Sequence, residues 1–317
     1  MGRPDVLVVG AGVTGLTTAA YLAERQYAVR LIADRLPHRT ASAAAGAIWG
    51  PYLVDEPQHL RWAEVARAEL ERIADQPGTG VRMTRGLEVS VKPEDPPEWA
   101  TRTRDYRPCT AAELEPFRPT YRSGWYYTVP LIDMPAYLGY LAQRALAAGA
   151  AMEPLRRITS LGALRGEAAV VVNCTGLGAR ELVPDASMYA IRGQLVVVEN
   201  PGVEEFFQEN AHGEELTYIF PHADHVVLGG CAVDHSESGD PRTDVAEAII
   251  ERCARIQPKL ADARIIGHRV GLRPARPRPR VEIAPQDGAW LVHNYGHGAT
   301  GVSLSWGCAE EVSRLLQ

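Results

Sequence analysis

A glycine-rich turn directly behind a short apolar run constrains the fold of this chain more than any other feature. Val6–Val9 is an unbroken β-branched and aliphatic run, which is typical of a parallel strand buried on both faces. Gly10–Gly15 follows with the spacing Gly-x-Gly-x-x-Gly, and apolar residues then recur at helical spacing over residues 16–26. Ala28–Ala33 is a second buried strand, and it ends at Asp34. These segments predict a right-handed βαβ unit.

The βαβ unit predicts a dinucleotide-binding site. The glycine spacing permits a tight turn and lets the backbone approach a pyrophosphate, while the following helix presents its N-terminus to the phosphates. A carboxylate at Asp34, about 20 residues further on, is placed to accept from ribose hydroxyls. The spacing alone is a weak signal, but its place between a strand and a helix makes a chance glycine turn the poorer explanation. The motif does not distinguish NAD from FAD.

The length, charge and cysteine content of the chain exclude several classes of protein. A chain of 317 residues suits about two domains. A formal charge of −6 and a pI near 5.9 argue against a nucleic-acid-binding protein. The N-terminus has no signal-peptide pattern and no apolar run approaches the roughly 18 residues of a membrane span, so we expect a cytosolic protein without a membrane partner. Five scattered cysteines favour reduced thiols over a disulfide framework.

The order of predicted elements indicates an α/β fold in which a Rossmann-like nucleotide-binding domain is interleaved with an α+β substrate domain built on a mainly antiparallel sheet. Strands that suit the nucleotide domain lie at Val6–Val9, Ala168–Gly176 and Trp290–His293. Other strands are predicted at Trp125–Pro130, Gly193–Glu199, Tyr218–Phe220 and His225–Gly229, and helices at about 59–74, 134–148, 245–255 and 301–316. The predicted nucleotide-binding domain comprises residues 1–50, 151–185 and 265–317, and the substrate domain residues 51–150 and 186–264.

An arginine- and proline-rich segment, residues 266–280, contains the strongest candidate for an anion-binding side chain. Its prolines each fix φ and lack a backbone donor, so the segment cannot form a regular helix. We interpret Arg276 and Arg278 as parts of a solvated basic loop. Arg273 differs because it ends the apolar run Val270–Leu272 and precedes a proline, so it can project from a rigid element. A planar guanidinium there suits bidentate capture of a substrate carboxylate.

The segment 291–307 combines small residues with a helix start. Small residues over Gly296–Gly301 allow the backbone to contact a flat ring, and the helix that begins near Gly301 directs its free N–H groups and positive dipole end at a ligand. His293 and His297 invite a metal-site interpretation, but no third ligand of suitable spacing accompanies them. We predict no metal site and interpret both as hydrogen-bonding structural histidines. The chain also lacks a nucleophile elbow, a Walker lysine and a zinc-protease motif.

Several short motifs resemble the D-amino-acid oxidase family, which also includes the D-aspartate oxidases. The most specific is His293–Gly298, and Gly193-Gln and Gly271–Pro274 accompany it. The resemblance spans the chain from Val6 to about Glu311. The further matches are Ala33–Arg35, Ala45–Trp49, Pro51-Tyr52, Val172–Gly176 and Tyr218–Pro221.

The resemblance implies FAD as the cofactor and assigns contacts to it position by position. It implies that the pyrophosphate lies at the glycine turn and that the flavin ring lies along the Gly46 segment and the start of the closing helix. The residues implied to contact FAD are Gly10, Ala11, Gly12, Val13, Gly15, Asp34, Arg35, Thr40, Ala41, Ser42, Gly46, Ala47, Ile48, Ile158, Thr175, Arg273, Gly298, Thr300, Gly301, Val302 and Ser303. Ala41 departs from the family because it lacks one hydroxyl of a phosphate-contacting stretch.

The resemblance also implies a substrate site. Arg273 and Tyr218 are expected to clamp the substrate carboxylate, the backbone carbonyl of Ala299 to accept from the amino group, and Tyr52 to close one wall of the side-chain pocket. No side chain is expected to act as a general acid or base, because hydride transfer to FAD requires orientation rather than a catalytic side chain.

Two departures from the mammalian members concern the side-chain pocket. Glu214 stands where they carry a second, lid-borne tyrosine, and Gly50 stands where they carry a glutamine. We therefore expect a shorter lid and a more open pocket, and the preferred side chain is not transferred from those enzymes.

The predicted function is the FAD-dependent oxidation of neutral D-amino acids by oxygen to 2-oxo acids, ammonia and hydrogen peroxide. Three alternatives stay open: a glycine- or sarcosine-type amine oxidase, a D-aspartate oxidase, and a non-catalytic flavoprotein or NAD-sensing module. A D-aspartate oxidase needs a further cation for the side-chain carboxylate, and no arginine can be assigned to that place. A homodimer is also predicted, and a nucleic-acid partner is not expected.

Overall fold

The described part of the chain folds around one extended sheet with helices packed against it. The computed structural model describes residues 5–52, 56–210, 213–284 and 290–317. The helices are α1 (Val13–Ala23), α2 (Pro57–Ile73), α3 (Glu98–Thr101), α4 (Ala111–Leu114), α5 (Met134–Ala147), α6 (Ala179–Leu182), α7 (Thr243–Ile256) and α8 (Gly301–Leu315). The strands are β1 (Asp5–Val9), β2 (Ala28–Ala33), β3 (Ala47–Ile48), β4 (Val81–Ser90), β5 (Arg104–Pro108), β6 (Ser123–Ile132), β7 (Ala151–Pro154), β8 (Val170–Asn173), β9 (Tyr189–Glu199), β10 (Phe206–Glu209), β11 (Glu215–Pro221), β12 (His225–Cys231), β13 (Val233–Asp234), β14 (Ile265–Ala284) and β15 (Trp290–His297).

The sheet has a parallel end and a mainly antiparallel end. Its strand order is β3-β6-β4-β10-β11-β12-β9-β14-β15-β8-β1-β2-β7. The pairs β15–β8, β8–β1, β1–β2 and β2–β7 are parallel, whereas β9 is antiparallel to both β12 and β14. The predicted βαβ unit is therefore confirmed, with β8 and β15 extending it. The long strand β14 joins the two ends, because it pairs with β9 over its first half and with β15 over its second.

The glycine-motif helix α1 forms the centre of the main core. It is buried on nearly every side, as expected for a helix that is apolar around its whole circumference. Helix α8 packs against both α1 and α2. A Cβ at Gly307 would lie 2.2 Å from the Cα of Trp62, so the backbones of α8 and α2 touch and only glycine fits at this crossing. This packing fixes where the N-terminus of α8 lies relative to that of α1.

The predicted helices and strands are confirmed, but β14 replaces a predicted loop and six further strands were not predicted, namely β3, β4, β5, β7, β10 and β13. The predicted helices at 59–74, 134–148, 245–255 and 301–316 appear as α2, α5, α7 and α8. The arginine- and proline-rich segment is not a loop but most of β14, and the interpretation of Arg276 as solvated is wrong, because its Nε donates to Asp185 at 3.0 Å. Arg278 is exposed, as predicted, and pairs with Glu56. Strand β4 was not predicted.

The histidine-containing closing strand is longer than predicted. Strand β15 continues to His297, so it includes the residues between His293 and His297. All five cysteines are free thiols. Within the described residues, no helix is both long enough and apolar enough to cross a membrane. The domain boundaries stay a prediction.

Candidate active site

The turn after β1 can be built only with glycine at two of its positions. Gly10 has φ +117°, and a Cβ there would lie 2.4 Å from the carbonyl oxygen of Cys174 at the end of β8. A Cβ at Gly15 would lie 1.9 Å from the carbonyl oxygen of Gly10. Both distances are far below any real Cβ contact, so the turn and the start of α1 lie directly against the ends of β1 and β8.

The start of α1 is left available to a ligand. Gly12 is its N-cap and supplies no side-chain acceptor, so the first N–H groups of the helix lack intrahelical partners. One of them, the N–H of Val13, donates to Ser42 Oγ at 3.0 Å. The hydroxyl-bearing segment of Thr40 and Ser42 therefore lies at this helix start, where the sequence places it beside a pyrophosphate.

A second helix start lies beside the first. Thr300 precedes α8 and bonds its own hydroxyl back to the carbonyl of His297 at 2.8 Å, so it does not cap the helix. A Cβ at Gly301 would lie 3.9 Å from Val13 Cγ1, which puts the first turns of α8 and α1 in contact. Two positive dipole ends with free N–H groups thus face one region, an arrangement that favours a ligand with more than one anionic or acceptor group.

The Gly46 segment and Gly50 also reach this region. Ser303, in the first turn of α8, accepts a hydrogen bond from the N–H of Gly50 at 3.2 Å. Ala47 and Ile48 form β3 at the edge of the sheet beside β6. A Cβ at Gly46 would lie 3.2 Å from Tyr218 Cε2, so the segment connects the helix starts to the antiparallel part of the sheet.

Arg273 and Tyr218 are brought together over a floor of glycines. A Cβ at Gly193 would lie 2.7 Å from both terminal nitrogens of Arg273, and one at Gly229 would lie 1.9 Å from Tyr218 Cζ. The half-buried Arg273 guanidinium donates to the carbonyl of Cys231 at 3.1 Å and lies close enough to Tyr218 to oppose the rise in the pKa of its phenol. The two side chains predicted to share a carboxylate therefore do meet. The role of Gly229 was not identified from the sequence, although a glycine inside a strand signals the close approach of another group.

The protonation of Tyr218 suits an anion-binding role. Burial raises the pKa of its phenol to about 12, and the neighbouring Arg273 guanidinium opposes that rise. The hydroxyl therefore carries its proton near neutral pH and can donate it to an acceptor. A guanidinium and a phenol side by side present several donors to one carboxylate.

The turn that precedes α8 is attached to the strand that carries Arg273. The N–H of Gly298, which has φ +55°, donates to the carbonyl of Pro274 at 2.9 Å. Ala299 follows and is exposed. The backbone of Ala299 thus lies between the Arg273 strand and the start of α8.

Tyr52 lies on the other side of the Gly50 backbone. A Cβ at Gly50 would lie 2.2 Å from the Tyr52 ring, so that ring occupies the space a side chain at position 50 would take. The expectation of a more open pocket at Gly50 is therefore not met. The Tyr52 hydroxyl contacts a buried acid, Glu88, at 3.0 Å, and this residue was not identified from the sequence.

The remaining predicted cofactor residues lie along the parallel end of the sheet. Asp34 and Arg35 follow β2, are exposed, and lie 3.7 Å apart. Thr175 follows β8, and its hydroxyl donates to Asn173 at 2.7 Å. Ile158 packs against the cluster that contains Leu7 of β1. Ala11 is buried inside the glycine turn and Ala41 is exposed at the start of a short 3₁₀ turn.

The two histidines of the closing segment are buried and neutral near pH 7. Burial lowers the pKa of each to about 4. His293 Nδ1 lies 3.4 Å from Asn173 Nδ2, as predicted for a hydrogen-bonding histidine, whereas His297 Nε2 has no hydrogen-bond partner among the described residues.

Comparison with known proteins identifies the family. The family model described as FAD dependent oxidoreductase matches residues 5–315, and the D-amino-acid oxidase of Streptomyces coelicolor is 45% identical over 317 residues, 98% of this chain and 96% of the relative. The chain belongs to the D-amino-acid oxidase family. The family's D-amino-acid oxidase from Rubrobacter xylanophilus is 43% identical over 98% of this chain and 94% of the relative. The human D-aspartate oxidase is 36% identical over 100% of this chain and 95% of the relative.

Solved structures support the fold class. The glycine oxidase from Geobacillus kaustophilus superposes with a TM-score of 0.81 at 20% identity, covering 100% of this chain and 95% of that one. The predicted fold class of the D-amino-acid oxidase family, an α/β nucleotide domain interleaved with a mainly antiparallel domain, is confirmed.

The described residues fit FAD, the cofactor of this oxidoreductase family. Gly10 and Gly15 form a cradle that any Cβ would fill. Two uncapped helix starts, those of α1 and α8, present N–H donors that suit the anionic and acceptor groups of such a cofactor. These donors are chemically matched to a long, dianionic dinucleotide.

Proposed function

We propose that this protein oxidises D-amino acids to 2-oxo acids with FAD as its cofactor and oxygen as the electron acceptor. The observation that carries the proposal is the contact between Arg273 and Tyr218 beside the start of α8. Two relatives that are 43% and 45% identical over nearly the whole chain are D-amino-acid oxidases, which supports the same reaction here.

In this proposal, Arg273 and Tyr218 bind the substrate carboxylate and the Ala299 carbonyl accepts from the amino group. The guanidinium is permanently charged and the phenol is protonated, so both act as donors across the neutral pH range. Anchors at both the carboxylate and the amine orient the α-carbon and leave the side chain to point toward Tyr52. Holding the substrate in this orientation raises the rate of reaction without a catalytic side chain.

The start of α8 supplies electrostatic stabilisation. Its free N–H groups place partial positive charge at the proposed cofactor site, and they are already oriented by the packing of α8 on α1 and α2. When bound, FAD supplies the acceptor for the α-hydrogen as a hydride and passes two electrons to oxygen. Overall, a D-amino acid, water and oxygen give a 2-oxo acid, ammonia and hydrogen peroxide.

The proposal is tested by the colour of the purified protein. We expect a yellow protein whose flavin absorbance is bleached by D-alanine without oxygen, is restored by air, and is unaffected by L-alanine. A colourless protein, or one that D-alanine and D-valine fail to bleach, contradicts the proposal. Faster bleaching by glycine or sarcosine would indicate a glycine-type oxidase, and faster bleaching by D-aspartate a D-aspartate oxidase.

Two further predictions belong to the same proposal. We expect the enzyme in the cytosol and as a homodimer. Fractionation of the native cells and sedimentation of the purified enzyme test them.

A further inference from the structure

A buried carboxylic acid lies behind Tyr52, in a part of the sheet to which the proposed reaction gives no role. Glu88, on β4, is fully buried. Its Oε2 accepts from the hydroxyls of Tyr52 at 3.0 Å and Tyr127 at 2.5 Å, and also from the amide of Gln208. Each of these partners is uncharged, and one of them is the residue predicted to close the substrate side-chain pocket.

The second oxygen of this acid is left unused. Glu88 Oε1 has no hydrogen-bond partner within the part of the chain that the structure describes. Trp125 lies directly opposite on β6, and its indole N–H is also buried without a partner there. An unpaired buried acceptor and an unpaired buried donor on facing residues are each costly, so a group that bonds to both of them would be stabilised there. The two atoms match a group that has both a donor and an acceptor.

Strand register places this polar pair on the substrate side of the sheet. Glu88 pairs with Gln208, and Gln208 pairs with Tyr218, so these three side chains leave the same face on successive strands. Two strand spacings separate Glu88 from Tyr218, which is about 10 Å. This row therefore connects the proposed carboxylate site at Tyr218 to Glu88 and its partner Tyr52.

We propose that Glu88 determines which D-amino acid side chain this enzyme accepts, by favouring side chains that end in an N–H donor and rejecting those that end in a carboxylate. A carboxamide matches the site best, because its nitrogen can donate to Glu88 Oε1 while its oxygen accepts from Trp125. A carboxylate offers Glu88 no donor, so it leaves the Glu88 Oε1 acceptor unpaired. Tyr52 is the side chain that must move for the substrate to reach Glu88. The inference rests on the proposed oxidase function.

Substrates of equal shape test this inference on the unaltered enzyme. D-Glutamine and D-glutamate differ only in a terminal amide and carboxylate, and D-asparagine and D-aspartate form a second such pair. We expect kcat/KM for the amide to exceed that for the acid by at least a hundredfold in one pair or both. Equal efficiencies in both pairs overturn the inference.

Two acid-to-amide variants then assign the preference to one residue. Glu88→Gln should lower the amide-to-acid ratio of kcat/KM at least tenfold, because it replaces one carboxylate oxygen by an N–H donor from which a substrate carboxylate can accept. Glu209→Gln is the matched control, since Glu209 follows Gln208 on β10, faces the other side of the sheet and loses the same charge. Glu88→Asp keeps the carboxylate and should keep the direction of the preference.

The outcomes separate the inference from the function on which it rests. An unchanged ratio in a yellow, folded Glu88→Gln enzyme overturns the inference, and so does an equal fall of the ratio in Glu209→Gln. If Glu88→Gln does not fold, the Glu88→Asp ratio decides: withdrawing the carboxyl group by one methylene should weaken the preference without reversing it, and an unchanged ratio contradicts the assignment. D-Alanine turnover by the unaltered enzyme is measured alongside, because its absence contradicts the oxidase function instead.

Discussion

Among the arginines of β14, Arg273 is set apart by what lies under it rather than by its charge. Its guanidinium lies over Gly193 and contacts Tyr218, whereas Arg276 and Arg278 pair with acids. Replacing Arg273 by alanine removes a charge-assisted anchor worth roughly 2–4 kcal/mol. We expect kcat/KM for D-alanine to fall by about 30- to 1,000-fold, with FAD still bound, as measured by steady-state oxygen consumption.

A matched variant isolates the anchor from the loss of charge. Arg278→Ala removes one positive charge from the same strand, and its exposed ion pair with Glu56 contributes little. We expect its kcat/KM to stay within about twofold of the unaltered enzyme. Near-normal efficiency in Arg273→Ala would refute the role of that residue.

The sequence identified Arg273 but not its surroundings. An arginine that follows an apolar run can be recognised in the amino-acid sequence, and so can the motif glycines. The partners of Glu88 come from β6, from β10 and from Tyr52, which are far apart in the chain and meet only through strand register. The ion pair of Arg276 could not be predicted, because its partner Asp185 lies 91 residues away in the sequence.

At the scale of elements, replacing a glycine by alanine has opposite expected effects in the glycine turn and in the interior of a helix. A methyl at Gly15 would overlap the Gly10 carbonyl, so Gly15→Ala must displace the start of α1. We expect FAD affinity to fall at least about tenfold, measured by titration of the apoprotein.

Gly139, in the interior of α5, has open space around its missing side chain. Gly139→Ala should raise the free energy of unfolding by up to about 1 kcal/mol without changing FAD affinity.

The elements that could be predicted are those whose local pattern and tertiary role agree. Each of these elements has one clear local pattern: an unbroken apolar run in β1, the glycine spacing of the turn, and helical periodicity in the amphipathic helices α2 and α7. Strand β14 was missed because proline lacks a backbone donor, yet Pro277 and Pro279 fall where the pairing with β15 shifts register. Strand β4 was missed because Glu88 is a charged residue at a buried position, which local sequence does not predict.

At the scale of the whole molecule, buried histidines tie stability to pH. Burial lowers the pKa of His222 to about 3 and those of His293 and His297 to about 4. In the unfolded chain their pKa is about 6.5, so between these values the unfolded state binds more protons. Their contribution to stability is fully present above pH 6.5 and is lost as the pH falls toward 4. Glu88 and Asp133, whose pKa values burial raises, act in the opposite sense and offset part of this loss.

His222 allows the histidine contribution to be measured separately. It is 7% exposed and stacks on His225 with ring centroids 4.7 Å apart, so its protonation is opposed by burial first and then by a second imidazole and by Arg269. Because His222 resists protonation in the folded enzyme, it should lower the free energy of unfolding by up to about 2 kcal/mol between pH 7 and pH 5. In urea unfolding of the FAD-loaded enzyme, His222→Gln should therefore lose less stability over this interval than the unaltered enzyme. His268→Gln, which replaces an exposed histidine on β14, should keep the original pH slope. Equal slopes in all three proteins would mean that His222 is protonated in the folded state as readily as in the unfolded chain.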